Sequence, residues 1–305
     1  MRRRPALPGK PALSTQFLLI SAVDLALLLY VIQAHRATNW QPLAAWLLAV
    51  GLFLAAAWQL DQEQADVAPL SLAWDRWDTS ALVGLAGLAL LLRIIWLERL
   101  PLTMHNDEAV MALAAQELRQ GGLRGWYLLD TFGHSQLWYA LLHGGMRLFG
   151  PSLFGLRMVA VFFGTATMGT TYLLVRLLFN RPLALLSTLL LATFHFHVHF
   201  SRIGLNNVTD TFFGTLVALL LAAGLRQGSR FLLAATGVTL GIALHFYTGA
   251  RLLVPLTLFM GATWYVDQWR HRGTGQRDPL PALAAAVMGG TATLYTLMPF
   301  AFAVI

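Results

Sequence analysis

The sequence predicts an all-α, polytopic integral membrane protein. Three observations carry this reading. Of 305 residues, 57% are hydrophobic and only 11% are charged, where a soluble domain carries about 25% charged residues. Mean hydropathy is +0.61. The apolar residues also fall into runs of the roughly 20 residues that a helix needs to cross a bilayer. Together these exclude an ordinary soluble enzyme, a disordered chain and a nucleic-acid-binding domain. The chain has no cysteine, so disulfides, thiol catalysis and cysteine-ligated metals are excluded too.

Nine runs read as spans, at about 16–34, 42–60, 79–97, 153–178, 183–200, 208–226, 231–248, 251–269 and 281–303. The first follows Arg2-Arg3-Arg4. Its length and Asp24 argue for a retained helix rather than a signal peptide. Asp24 is an intramembrane acid, functional by default, but it sits in an N-terminal pair apart from the other polar residues. The fifth run is short, with about 13 apolar residues from Pro182 to Phe194 before His195. A short span lets water and headgroups reach down from one face.

Residues 134–149 are apolar but short, and they decide the topology. If they lie on the surface, 12 basic residues fall inside and 8 outside; if they span, the split becomes 9 and 11. The positive-inside rule favours the surface helix, with Trp138 and Tyr139 suited to the headgroup region. Residues 98–152 then form one external loop with two surface helices, near 106–119 and 134–148. In the first, Asn106 is the expected N-cap and Asp107 and Glu108 sit in the first turn. Gly121-Gly122 ends it.

With this topology the reactive residues collect on the outer face. The first loop carries His105, Asp107, Glu108, Asp130 and His134, the next Ser201, Arg202, Asn206, Asn207 and Asp210, and the third His245, Tyr247 and Arg251. Each has a plainer reading. Asp107-Glu108 also complements a helix N-terminus, and Arg202 and Arg251 also suit interfacial anchors. Of His195, His197 and His199, the first and last share a helical face and the middle one points away. That favours structural histidines over a metal set. The metal requirement stays open, with a divalent ion as the allowed cofactor.

The pattern resembles the GT-C class of membrane glycosyltransferases, in the protein O-mannosyltransferase and aminoarabinose transferase group. The resemblance rests on Asp107-Glu108-Ala109, Leu148-Phe149-Gly150 with Leu156-Arg157, Ser201-Arg202 through Asp210, and Gly241, Tyr247 and Arg251. It covers roughly 79–305, which makes 1–78 a two-helix extension. The chain stops at Ile305 in a hydrophobic stretch, where the family continues with more helices, so the module is expected to be incomplete there.

The resemblance implies transfer of a sugar from a polyprenyl-phosphate-linked donor to an acceptor hydroxyl, of a protein or a glycolipid, on the non-cytoplasmic face of the cell membrane. By this likeness Asp107 matches the catalytic acid position and Glu108 its acidic neighbour. Arg202, Asp210, Tyr247, Arg251 and His134 become candidate substrate-binding residues. A carboxylate takes the hydroxyl proton, and arginines neutralise the leaving phosphate. The rival is a transporter or flippase for a lipid-linked solute. It predicts inverted repeats with paired broken helices, and no such repeat is visible. A non-catalytic membrane scaffold is a second rival, and the Asp-Glu loop with two outer-face arginines counts against it.

Overall fold

The computed structural model describes residues 12–33, 41–64, 67–68, 72–121, 136–270 and 282–304. Within them the chain is helical, with no strand among the described residues. In order come α1 (Leu13–Gln33), α2 (Gln41–Gln64), α3 (Arg76–Ile94), α4 (Asn106–Gly121), α5 (Leu137–Phe149) and α6 (Leu153–Leu178). Then follow α7 (Arg181–Thr193), α8 (His195–Phe200), α9 (Val208–Gln227), α10 (Arg230–Phe246), a 3-10 turn (Thr248–Leu252), α11 (Leu253–Arg270) and α12 (Ala282–Val304). Among the described residues five helices are long and apolar enough to cross a membrane: α1, α2, α3, α6 and α9. The protein is a multi-pass helical membrane protein.

Polar caps fix where the helices begin. Asp75 caps α3, accepting from Trp77 N at 2.8 Å and Asp78 N at 3.2 Å, while Asp78 accepts from Asp75 N at 3.3 Å. This reciprocal pair satisfies donors that the first turn leaves open. Ser152, Asn180 and Ser229 cap α6, α7 and α10 one-sidedly, each side chain accepting one backbone N–H, from Gly155, Leu183 and Leu232. Asp61, near the end of α2, accepts from Ser229 Oγ at 2.6 Å, Arg230 N at 2.8 Å and Phe231 N at 3.1 Å. One buried carboxylate thus docks α2 on the start of α10.

Two apolar cores organise the bundle. One joins α4, α5, α6, α9 and α10 around Trp138, Phe163, Phe213 and Phe246. The other packs α1 and α2 against α10 and α12. The α10–α12 crossing is close because Gly237 has no side chain: a Cβ there would overlap the Gly289 carbonyl.

Three local expectations are corrected. The 183–200 run is not one helix: α7 ends at Thr193, Phe194 is extended, and α8 restarts at His195. α7 alone is 13 residues, about 20 Å of helix, short of a bilayer core of about 30 Å. Trp138 and Tyr139 do not face headgroups; they are 1% and 6% exposed in the first core. The one-sided apolar face of α5 packs inward on α4, α6 and α10, and burial there stabilises these side chains more than headgroup contact would. Asn106 is the first residue of α4 rather than its cap. His105 caps instead: its carbonyl accepts from Ala109 N at 3.1 Å and its Nδ1 from Asp107 N at 3.2 Å.

Candidate functional site

The end of α3 is the frame of the site. Its last carbonyls have no partner within the helix, and the chain turns sharply through residues 95–100. Trp96 sits there at φ +51°, a left-handed conformation that costs a non-glycine residue about 1–2 kcal/mol. Two arginines hold this turn, and a third, Arg93, ties the last turns of α3 to α7 and α8 beside it. Arg202 donates to the Leu92 and Ile95 carbonyls, each at 2.6 Å, and to Leu100 O at 3.3 Å. Arg157 donates to Leu97 O at 2.7 Å and Leu100 O at 3.5 Å. Arg93 donates to Ala89 O at 2.9 Å and Ala192 O at 3.3 Å. Arg93 Nη2 also lies 2.7 Å from His197 Nδ1. Arginine only donates, so Nδ1 accepts and the ring proton sits on Nε2.

Glu108 is joined to this frame. Its carboxylate is fully buried and paired with Arg157 in a two-pronged bond: Nε to Oε1 at 2.8 Å and Nη2 to Oε2 at 3.0 Å. Gly204 N donates to the same Oε1 at 2.8 Å. Both oxygens are occupied, and the planar fork matches the carboxylate. Glu108 therefore ties α4, α6 and the 201–207 loop into one piece.

Asp107 is its opposite. The side chain is 64% exposed, and Oδ2 lies 3.7 Å from His105 Nδ1. Since that nitrogen accepts the Asp107 N–H, it carries no proton. Asp107 is thus an accessible carboxylate in the first turn of α4.

The 201–207 loop carries the remaining groups together. Asn206 Nδ2 donates to Phe246 O at 2.5 Å, and Thr209 Oγ1 to Asn206 O at 2.6 Å. These bonds hold the start of α9 against the end of α10. Asp210, in the first turn of α9, lies against Gly249 of the 3-10 turn, and its buried Oδ1 has no hydrogen-bond partner among the described residues. Tyr247 precedes that turn and Arg251 stands exposed on it. The structure thus links Glu108, the Arg202 loop, Asp210 and the Tyr247–Arg251 turn through consecutive contacts. Arg202 itself is 8% exposed and faces α3 carbonyls. Burial lowers its pKa, as does the nearby Arg157 charge; it stays a cation at neutral pH. His134 and Asp130 lie outside the described residues.

Sequence reasoning gave no role to Arg157, Arg93 or Gly204. The signal for the two arginines was present, since each is a charge within an apolar run. The Gly204 bond comes from the backbone, and no side-chain pattern marks it. His195 and His199 are exposed and line a hollow of about 580 Å³ beside Leu92, while His197 is buried. Among the described residues no group of three or more His, Asp or Glu could hold a metal ion.

A family model described as dolichyl-phosphate-mannose-protein mannosyltransferase matches residues 134–303. No curated protein and no solved structure matches the chain. A multi-pass helical bundle with this match is a membrane glycosyltransferase of the mannosyltransferase type. The chain belongs to the dolichyl-phosphate-mannose-protein mannosyltransferase family, and the matched stretch contains Arg157, Arg202, Asp210 and Arg251. Asp107 and Glu108 precede it.

Proposed function

We propose that the chain transfers a sugar, mannose by its family, from a polyprenyl-phosphate donor to the hydroxyl of a protein or glycolipid acceptor on the non-cytoplasmic face. The observation that carries the reading is the division between neighbouring acids: Glu108 is buried and bonded, while Asp107 is open beside it. Asp107 takes the hydroxyl proton as the acceptor oxygen bonds to the anomeric carbon. The bond from that carbon to the phosphate oxygen breaks, and the lipid phosphate leaves with the electron pair. Glu108, through Arg157 and Gly204, holds the first turn of α4 in position. Single displacement with inversion is the family analogy.

Of the two candidate cations, Arg251 is better suited to meet the phosphate. It is exposed, whereas Arg202 commits its donors to the Leu92, Ile95 and Leu100 carbonyls. The proposal keeps nine spans, an inside N-terminus and α4 and α5 at the outer surface; the shortness of α5, 13 residues, supports that placement. Residues 1–78 are read as an added unit because the family resemblance begins near residue 79; the matched stretch itself begins at 134, after α3 and α4.

The test is transfer itself. The full chain in nanodiscs, given polyprenyl-phosphate mannose with a labelled sugar, moves the label onto a hydroxyl-bearing peptide or glycolipid and releases polyprenyl phosphate. Movement of the intact donor between leaflets with no new glycosidic bond contradicts the reading and supports a transporter.

A further inference from the structure

We infer that Arg93 and His197 form a buried positioning pair for the proposed transfer. They fix where α7 ends and α8 begins, and through that break they hold the 201–207 loop that seats Glu108 beside Asp107. The inference rests on the sugar-transfer reading above. Both residues are enclosed, Arg93 at 0% and His197 at 7% exposure, so neither meets the substrate itself.

Arg93 acts first on the backbone. In an unbroken α7 the Ala192 carbonyl would accept from the Phe196 N–H, one helical turn on. Arg93 Nη1 takes that carbonyl instead, at 3.3 Å. Phe194 is extended there, and the helix restarts at His195, with Val198 N on the Phe194 carbonyl at 2.9 Å. The restart brings the His197 ring onto the guanidinium, with Nη2 at 2.7 Å from Nδ1.

From His197 the bonds run on into the loop. Its carbonyl accepts from Ser201 N at 3.1 Å and also from Ser201 Oγ. Arg202 N donates to His199 O at 2.9 Å, and the Arg202 side chain returns to the Leu92 and Ile95 carbonyls of α3. The loop is thus registered on α3 by two routes, and it ends on Glu108 through Gly204 N. α6 closes on the same joint: a Cβ on Gly164 would overlap Ser201 Oγ and lie 3.0 Å from Arg93 Nε.

Stability does not account for the pair. Arg93 Nε and His197 Nε2 are buried with no hydrogen-bond partner among the described residues. Unsatisfied donors and a buried charge without a carboxylate both destabilise a fold, and an apolar pair of similar size would pack the same helices without them. What the pair supplies is geometry, and of the imidazole it uses Nδ1 alone. Asparagine carries its Oδ1 the same number of bonds from Cβ as that nitrogen. Glutamine places its oxygen one bond further out.

The variants are made in the full chain and assayed for sugar transfer in nanodiscs. His197→Asn should keep kcat near wild type. His197→Gln, and Arg93→Met combined with His197→Leu, should lower kcat at least about tenfold with KM for the donor unchanged. The double variant should unfold at or above the wild-type temperature, since the buried charge and both unpaired donors are gone; a merely structural pair predicts the reverse. Loop position is read separately from transfer. Spin labels on Val110→Cys, on the exposed side of α4, and Asn207→Cys report the distance between α4 and the loop in a chain with no other cysteine. That distance should match wild type in His197→Asn and shift or broaden in the double variant. If wild type transfers no sugar, the sugar-transfer reading fails, and the label distances alone judge the pair. Unchanged distances in the folded double variant overturn the inference, and so does equal turnover in the Asn and Gln variants. Wild type decides even if the double variant does not fold: nitrogen NMR of labelled histidine should find the His197 proton on Nε2, and a proton on Nδ1 overturns the inference.

Discussion

At the start of α4, Asp107 and Glu108 point about 100° apart around the helix. One meets solvent and the other is enclosed, and this direction alone separates their chemistry. Glu108→Gln leaves Arg157 as an uncompensated buried charge, and breaking such a pair costs about 3–5 kcal/mol. Denaturation in detergent should show that loss. Glu108→Leu with Arg157→Met should recover much of it, because the burial of both charges is then removed. The cations should separate by measurement in the same way. Arg202→Ala should lower the unfolding temperature, and Arg202→Lys should be milder, keeping charge but losing the fork. Arg251→Ala should raise KM for the donor with unfolding unchanged. The acid pair was legible in the sequence as a pair. Which acid stays open was not, because that depends on Arg157, forty-nine residues later, and on the Gly204 N–H.

At the scale of elements, the helices were legible and their joints were not. Each of the nine apolar runs contains a helix, since length and hydropathy depend on local composition. The break at Phe194 follows from no Pro or Gly; there the Arg93 side chain takes the Ala192 carbonyl and the His197 ring. The burial of Trp138 was illegible for a related reason: an aromatic residue near a membrane edge suits headgroups and core equally by composition. The other end of α3 yields a prediction in pH. Burial pushes the Asp75 carboxyl up, but the Arg181 hydrogen bond and the Asp78 and Trp77 N–H groups outweigh it, and its pKa is lowered. Unfolding restores the ordinary value of about 3.9. The stabilisation is therefore complete above that value and fades as pH falls through the lowered folded one. Asp75→Asn retains an acceptor for the cap but loses the Arg181 pair. Its unfolding temperature should vary less with pH on the acid side than the wild type does; parallel acid limbs would remove Asp75 from the account.

For the whole molecule, the proposed topology puts His105 and Arg270 on opposite faces of the membrane. The absence of native cysteine makes each single-cysteine variant directly readable. His105→Cys should react with an impermeant maleimide from the non-cytoplasmic side, and Arg270→Cys only after the membrane is opened. Labelling of both from one side would reverse the placement of α4. The fold class followed from composition, while the meeting of α4, the 201–207 loop and the 3-10 turn at one end needed the packed bundle. The proposal puts its base, Asp107, beside that meeting, and sugar transfer by Asp107→Asn measures the claim most directly. Asparagine keeps the shape but accepts no proton. Beside wild type in the same nanodiscs, its turnover should fall on the order of 10²- to 10⁴-fold with an unchanged unfolding temperature. Turnover near wild type would contradict the account and move the base to another residue.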